Sequence, residues 1–145
     1  MNDTDNPSIY PALGGYEQPD AWIDKMDWQT KTGIYRDIIK ENIEYDTLCL
    51  NYNSERVNEI LELILEAICS RREYIRISGE AYPAEAVKSR FLKLGQHHIE
   101  YAMRCFDMNT AKIHNIKAYL LTSLYNAPAT MGHYYKAEIS HNMLG

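Results

Sequence analysis

Five histidines, three cysteines and a run of arginines and lysines are the side chains here whose types could do chemistry. His97 and His98 are adjacent, so on a helix they point about 100° apart and do not readily share one metal. His133 and His141 are eight residues apart, about two helical turns and too far for a tight pair. Cys49, Cys69 and Cys105 are scattered, and the chain has no CxxC or HExxH from which to nominate a zinc site. Cys105 is about 10 Å along a helix axis from His98, too far for a Cys–His nucleophile. GxSxG, GxxxxGKS/T and a GxGxxG after a strand are all missing. Glu55, Glu59, Glu62 and Glu66 read as solvated like charges on one helix face, not as paired acid and base. The expectation is a protein that is no enzyme and holds no metal and no cofactor.

A second chemistry is binding. Arg71, Arg72, Arg76, Lys88, Arg90 and Lys93 fall within one short stretch, with Tyr74 and Tyr82 interleaved. Cationic side chains neutralise phosphates with little regard to base sequence, and aromatic rings stack on unpaired bases. The bland alternative is a solvated face whose arginines pair with the glutamate-rich helix nearby. The chain also holds twelve tyrosines. Tyr134 and Tyr135, with His133 and His141, would suit a partner surface, because tyrosine is apolar in body and polar at its tip.

Charge is unevenly distributed. Residues 1–70 hold five Lys/Arg against fourteen Asp/Glu, whereas residues 71–118 hold nine against five. An acidic half joined to a basic half confines any nucleic-acid contact to a local face. The chain has neither a run of about 18 apolar residues nor a basic, apolar leader. Three cysteines, each inside an apolar-patterned segment, suit buried thiols in a reducing compartment, so a cytoplasmic protein with no membrane partner is expected.

These side chains must be positioned by elements that the apolar spacing outlines. Residues 1–20, with Pro7, Pro11, Gly14, Gly15 and Pro19, read as a flexible lead-in or linker. Residues 21–145 read as a single domain, its first clear helix running from Thr32 to Tyr45 with a bend at Gly33. Asn53 and Ser54 cap a helix whose stripe is Val57, Ile60, Leu61, Ile64, Leu65 and Ile68. Alternation through Tyr74–Ile77, closed by Gly79, predicts a short hairpin that must lean on the helices. Pro83 opens the next helix, with Ala86, Val87, Phe91 and Leu94 inward and Lys88, Arg90 and Lys93 outward. Further helices are expected over 96–108, with Ile99, Ala102, Met103 and Phe106 inward, over 113–128, ending at Pro128, and over 130–143. The sum is a mainly α fold, a compact bundle of about five or six helices with one β-hairpin.

Two blocks carry a family likeness: Ala81 through Leu94 followed by His98, Ile99 and Tyr101, and Asn115 through Pro128. With Tyr134, Tyr135, His141, Asn142 and Met143, they make the chain from about Tyr35 to Met143 resemble the C-terminal domain of replication initiator A proteins of plasmids and mobile elements. That domain is similar to the DnaD family of primosome proteins. The resemblance implies a DnaD-like helical fold, an N-terminal winged-helix domain preceding this part, and a role in replication initiation. It also implies host replication partners, the primase or helicase-loading components, and contact with DNA. DnaD-like domains show Tyr, Ile and Trp at spacings of four near the end of their last conserved helix. Here Tyr119 matches, while Ser123 and Ala127 occupy the other two positions, on one helical face. The resemblance therefore adds Tyr119, with Asn115 and Lys117, to the candidate binding residues. The alternative expectation is a homo-oligomeric scaffold that makes no nucleic-acid contact.

Overall fold

The computed structural model describes the backbone of residues 21–144 and the side chains of residues 22–130. The lead-in expected over residues 1–20 lies outside the described residues, as do the side chains of His133, Tyr134, Tyr135 and His141. Seven α-helices and one antiparallel hairpin make up the described fold: α1 (Ala21–Asp24), α2 (Trp28–Asn42), α3 (Tyr45–Asn51), α4 (Ser54–Ile68), β1 (Tyr74–Ile77), β2 (Glu80–Pro83), α5 (Ala84–Phe91), α6 (Gln96–Asn109) and α7 (Ile116–Leu144). A 3-10 turn, Thr110–Lys112, joins α6 to α7.

The axis of the bundle is α4. Asn53 caps it as its sequence suggests, Oδ1 accepting from the backbone N–H of Glu55 at 2.8 Å and of Arg56 at 3.1 Å. All six residues of the expected stripe are buried, and so are Leu63 and Ala67. An apolar surface this wide needs neighbours on several sides, and α2, α3, α5 and α7 supply them. Each fully buried Leu or Ile contributes about 1.5–3 kcal/mol of transfer free energy, which outweighs the repulsion along the glutamate edge. On the far side α6 packs along α7, burying Ile99, Ala102, Met103 and Phe106.

Helix boundaries depart from the apolar pattern at three places, two for a local reason and one through packing. Asp27 starts α2 a turn early, its carboxylate accepting from the Thr30 backbone N–H and hydroxyl, both at 2.9 Å. Those two bonds hold the carboxyl below its usual range. Gly33 makes no bend, because it lies exposed inside a helix whose hydrogen bonding continues past it. The helix expected to reach Tyr45 stops at Asn42, and a separate helix, α3, starts at Tyr45 after Glu44 adopts a left-handed conformation at φ 57°. Glycine normally marks that turn, so a glutamate there concealed α3. The third departure is Pro128, which does not end its helix: α7 runs through it to Leu144. Proline removes one backbone donor, and a long helix packed on α6 and α4 absorbs that loss.

The hairpin closes through Ser78 and Gly79, both at positive φ (57° and 88°), with Ile77 paired to Glu80. Two left-handed residues in succession make the tight turn whose twist suits antiparallel strands. Ile77 is buried and Ile75 partly so, which is how two short strands are held to the helices. Tyr82 continues that contact by packing on Tyr125, ring centroids 4.9 Å apart.

Candidate nucleic-acid interface

The basic stretch divides into residues that face outward and residues the fold consumes. Arg71 and Arg72 follow the C-terminus of α4, and Arg76 stands on β1; all three are exposed. Ser70 shapes their loop, its hydroxyl oxygen accepting from the Arg72 backbone N–H at 3.1 Å. The Arg71 guanidinium lies 5.8 Å from the centre of the Trp28 ring, whose indole N–H donates to the Cys69 carbonyl at 3.3 Å. Trp28 is thereby pinned to the end of α4 while 44% of its surface stays exposed. Period-two alternation on β1 sends Tyr74 and Arg76 outward and Ile75 and Ile77 inward. Their cross-strand partners are the short residues Pro83 and Ala81. Tyr74 is 54% exposed, and Arg76 donates to the Gly79 carbonyl at 2.6 Å, which turns it along the hairpin.

Lys88 does not project outward. It is buried, and its ammonium meets both Asp24 carboxylate oxygens, at 2.8 and 3.1 Å, and lies 5.2 Å from the centre of the Tyr35 ring. Tyr35 and Lys31 reach the same carboxylate, so this cluster fastens α1 to α2 and α5. Arg90 is half-buried, donating to the Tyr125 carbonyl at 2.9 Å and stacking on that ring at 4.1 Å. Ala86 is exposed instead of inward, whereas Val87, Phe91 and Leu94 are buried as expected. Lys93 is exposed but stands past the far end of α5, about 12 Å along its axis from the hairpin.

The residues suggested by family likeness also have structural work. Asn115 caps α7, its side-chain oxygen accepting from the Ala118 backbone N–H at 3.0 Å. The Tyr119 hydroxyl donates to the Cys105 carbonyl at 3.1 Å and accepts from Asn109 at 3.2 Å, and its ring packs edge-on to Phe106. Lys117 pairs with Glu66 at 3.0 Å. The glutamates of α4 are therefore not merely solvated: Glu59 pairs with Arg56, Glu62 with Arg36 and Glu66 with Lys117. None of these cations belongs to the 71–93 stretch.

Titratable groups elsewhere are perturbed mainly by burial. The Cys69 thiol is pushed up by desolvation, against a lowering hydrogen bond from Thr32. Tyr52 is raised by burial and by its bond to Glu100 at 3.1 Å. His98, which sequence reasoning passed over as a site, closes the start of α6: its Nδ1 accepts from the Gly95 backbone N–H at 2.9 Å. Burial, then the neighbouring His97, lowers its pKa. The signal was legible as a Gly followed three residues on by an acceptor-bearing side chain. Among the described residues no His, Cys, Asp and Glu come together in a group of three or more fit to hold a metal ion.

What remains outward are the guanidinium groups of Arg71, Arg72 and Arg76 and the rings of Tyr74 and Trp28, spread over the α4–β1 connection, β1 and the start of α2, chemistry suited to phosphate contact and base stacking. The molecule is thus a mainly helical domain bearing a hairpin arm. By sequence it belongs to a family of unknown function, DUF6017, whose match covers residues 19–145. No curated protein and no solved structure gives a match. Among the described residues no helix is long and apolar enough to cross a membrane.

Proposed function

We propose that this chain is a non-catalytic module of DNA replication initiation, which contacts DNA without base specificity and recruits host replication proteins, the primase or helicase-loading components. The observation that supports DNA contact is the exposure of Arg71, Arg72, Tyr74 and Arg76 along the α4–β1 connection and β1, beside exposed Trp28 of α2, whose ring Arg71 faces. The likeness of residues 35–143 to replication initiator A proteins supports the replication role. Lys88, Arg90 and Tyr119 are already engaged inside the fold, and they stabilise it without touching DNA in this reading.

Salt titration of binding to labelled single-stranded and duplex DNA tests it. Log affinity is expected to fall linearly with log salt, with a slope of about −2 on single strands for three phosphate contacts. Arg71→Ala with Arg72→Ala flattens that slope across all sequences, and Trp28→Ala weakens single strands more than duplex. Absence of binding at low salt overturns the DNA half of the proposal. A second reading, an oligomerising scaffold, is favoured by Leu50 and Met108, which are 86% and 77% exposed. A monomeric mass at micromolar concentration excludes it.

A further inference from the structure

A groove of about 400 Å³ runs between α4 and α7. Its floor is apolar: Leu63 and Leu120 are buried, and Ile116 is 44% exposed. One wall carries Glu59, Glu62 and Glu66, while the only cation among the groove-lining residues is Lys117. Lys117 and Glu66 tie the two walls together at 3.0 Å, with 61% and 63% of their side chains exposed. Exposed pairs of this kind contribute little in water, so an incoming cation exchanges for Lys117 readily. Glu59 and Glu62 are held by the half-buried arginines Arg56 and Arg36, the latter through two nitrogens, yet the glutamate side chains stay 59% and 49% exposed, so each carboxylate keeps lone pairs open to a second cation.

We infer that the α4–α7 groove docks a basic amphipathic helix of a partner protein, with apolar side chains on Ile116 and Leu120 and Lys or Arg against Glu59, Glu62 and Glu66. Two facing helices with an apolar floor offer the ridges and grooves into which a third helix packs. Charge selects the occupant. Residues 1–20 of this chain hold Asp3, Asp5, Glu17 and Asp20 and no Lys or Arg, so that segment is repelled from the acidic wall. The inference deepens the recruitment half of the reading above and does not depend on the DNA half.

The test uses the full chain and two fluorescent helix-forming peptides of about 16 residues, each with leucines at i, i+3, i+4 and i+7, flanked in one by lysines and in the other by glutamates. The lysine peptide is expected to bind and the glutamate peptide not. Glu62→Lys with Glu66→Lys weakens binding by about tenfold or more, and Ile116→Asp does the same. Aspartate at the first position of α7 suits the helix N-terminus, and circular dichroism checks that this variant is folded. Reversing Glu41 and Glu44, acidic residues outside the groove, changes binding by less than about twofold. Equal loss from that control, binding of the glutamate peptide, or no binding overturns the inference. So does a dimer that Ile116→Asp dissociates, since the groove then belongs to a second copy. Peptide failure with DNA binding intact removes this inference alone.

Discussion

Lys88 and Arg71 share a charge sign and differ in everything that matters for function. Lys88 threads its aliphatic stem into the interior and ends on Asp24 beside the Tyr35 ring, so its charge organises the fold. Lys88→Met keeps the apolar stem and removes the charge. It is expected to cost about 1–3 kcal/mol by urea denaturation, because an ordered charge-assisted hydrogen bond is lost, while leaving DNA affinity at a given salt unchanged. His98 offers a second test at this scale. Its folded pKa lies below the ordinary 6.5, because burial disfavours the cation and Nδ1 must stay unprotonated to accept from Gly95. The unfolded chain therefore binds the proton first, so this contribution is complete above about pH 6.5 and is lost as pH falls below it. A falling urea midpoint between pH 7.5 and pH 5 is expected, with a slope that His98→Gln reduces.

At the scale of elements, turns decide more than stripes do. Gly79 is held at φ 88°, and a Cβ added there would meet no atom within 4 Å, so the cost of a side chain is backbone strain alone. Gly79→Ala is expected to destabilise by about 1–2 kcal/mol. Gly33 has the same open space and an ordinary helical backbone, and Gly33→Ala is expected to stabilise by about 0.5–1 kcal/mol. Thermal melts of the two alanine variants should therefore move in opposite directions. The hairpin and the α4 stripe were legible because period two and period 3.6 leave different spacings. The α2–α3 break was not, since Glu44 carries a conformation that side-chain type does not advertise. The continuity of α7 through Pro128 was hidden for the converse reason, a breaker overridden by packing.

Across the whole molecule, charge is sorted by helix face and not simply by position in the chain. Exposed Arg71, Arg72 and Arg76 lie beyond the C-terminus of α4, while its glutamates line the edge toward α7. Glu62 and Arg72 are ten residues apart along that helix and its exit, about 15 Å if the rise persisted. Substitutions at so great a distance act independently. Arg71→Ala with Arg72→Ala is expected to change DNA affinity alone, and Glu62→Lys with Glu66→Lys peptide affinity alone. The quadruple variant should show both losses with a coupling below about 0.5 kcal/mol by titration calorimetry.

Sequence by itself determined the helical class, the α4 core stripe, the Asn53 cap, the hairpin and its glycine turn. These follow from local periodicity and local hydrogen bonding, which the order of residues encodes directly. Only the tertiary structure decided which members of the basic stretch are available. Lys88, Arg90, Lys93, Arg71, Arg72 and Arg76 look alike in composition, but the approach of Asp24 and Tyr125, 64 and 35 residues away in sequence, withdraws Lys88 and Arg90 from the surface. The exposure of Ile116 on the groove floor is settled the same way, by where the first turn of α7 comes to lie against α4. Partnership between distant residues depends on how helices cross, a property of the packed core that no spacing within one helix carries.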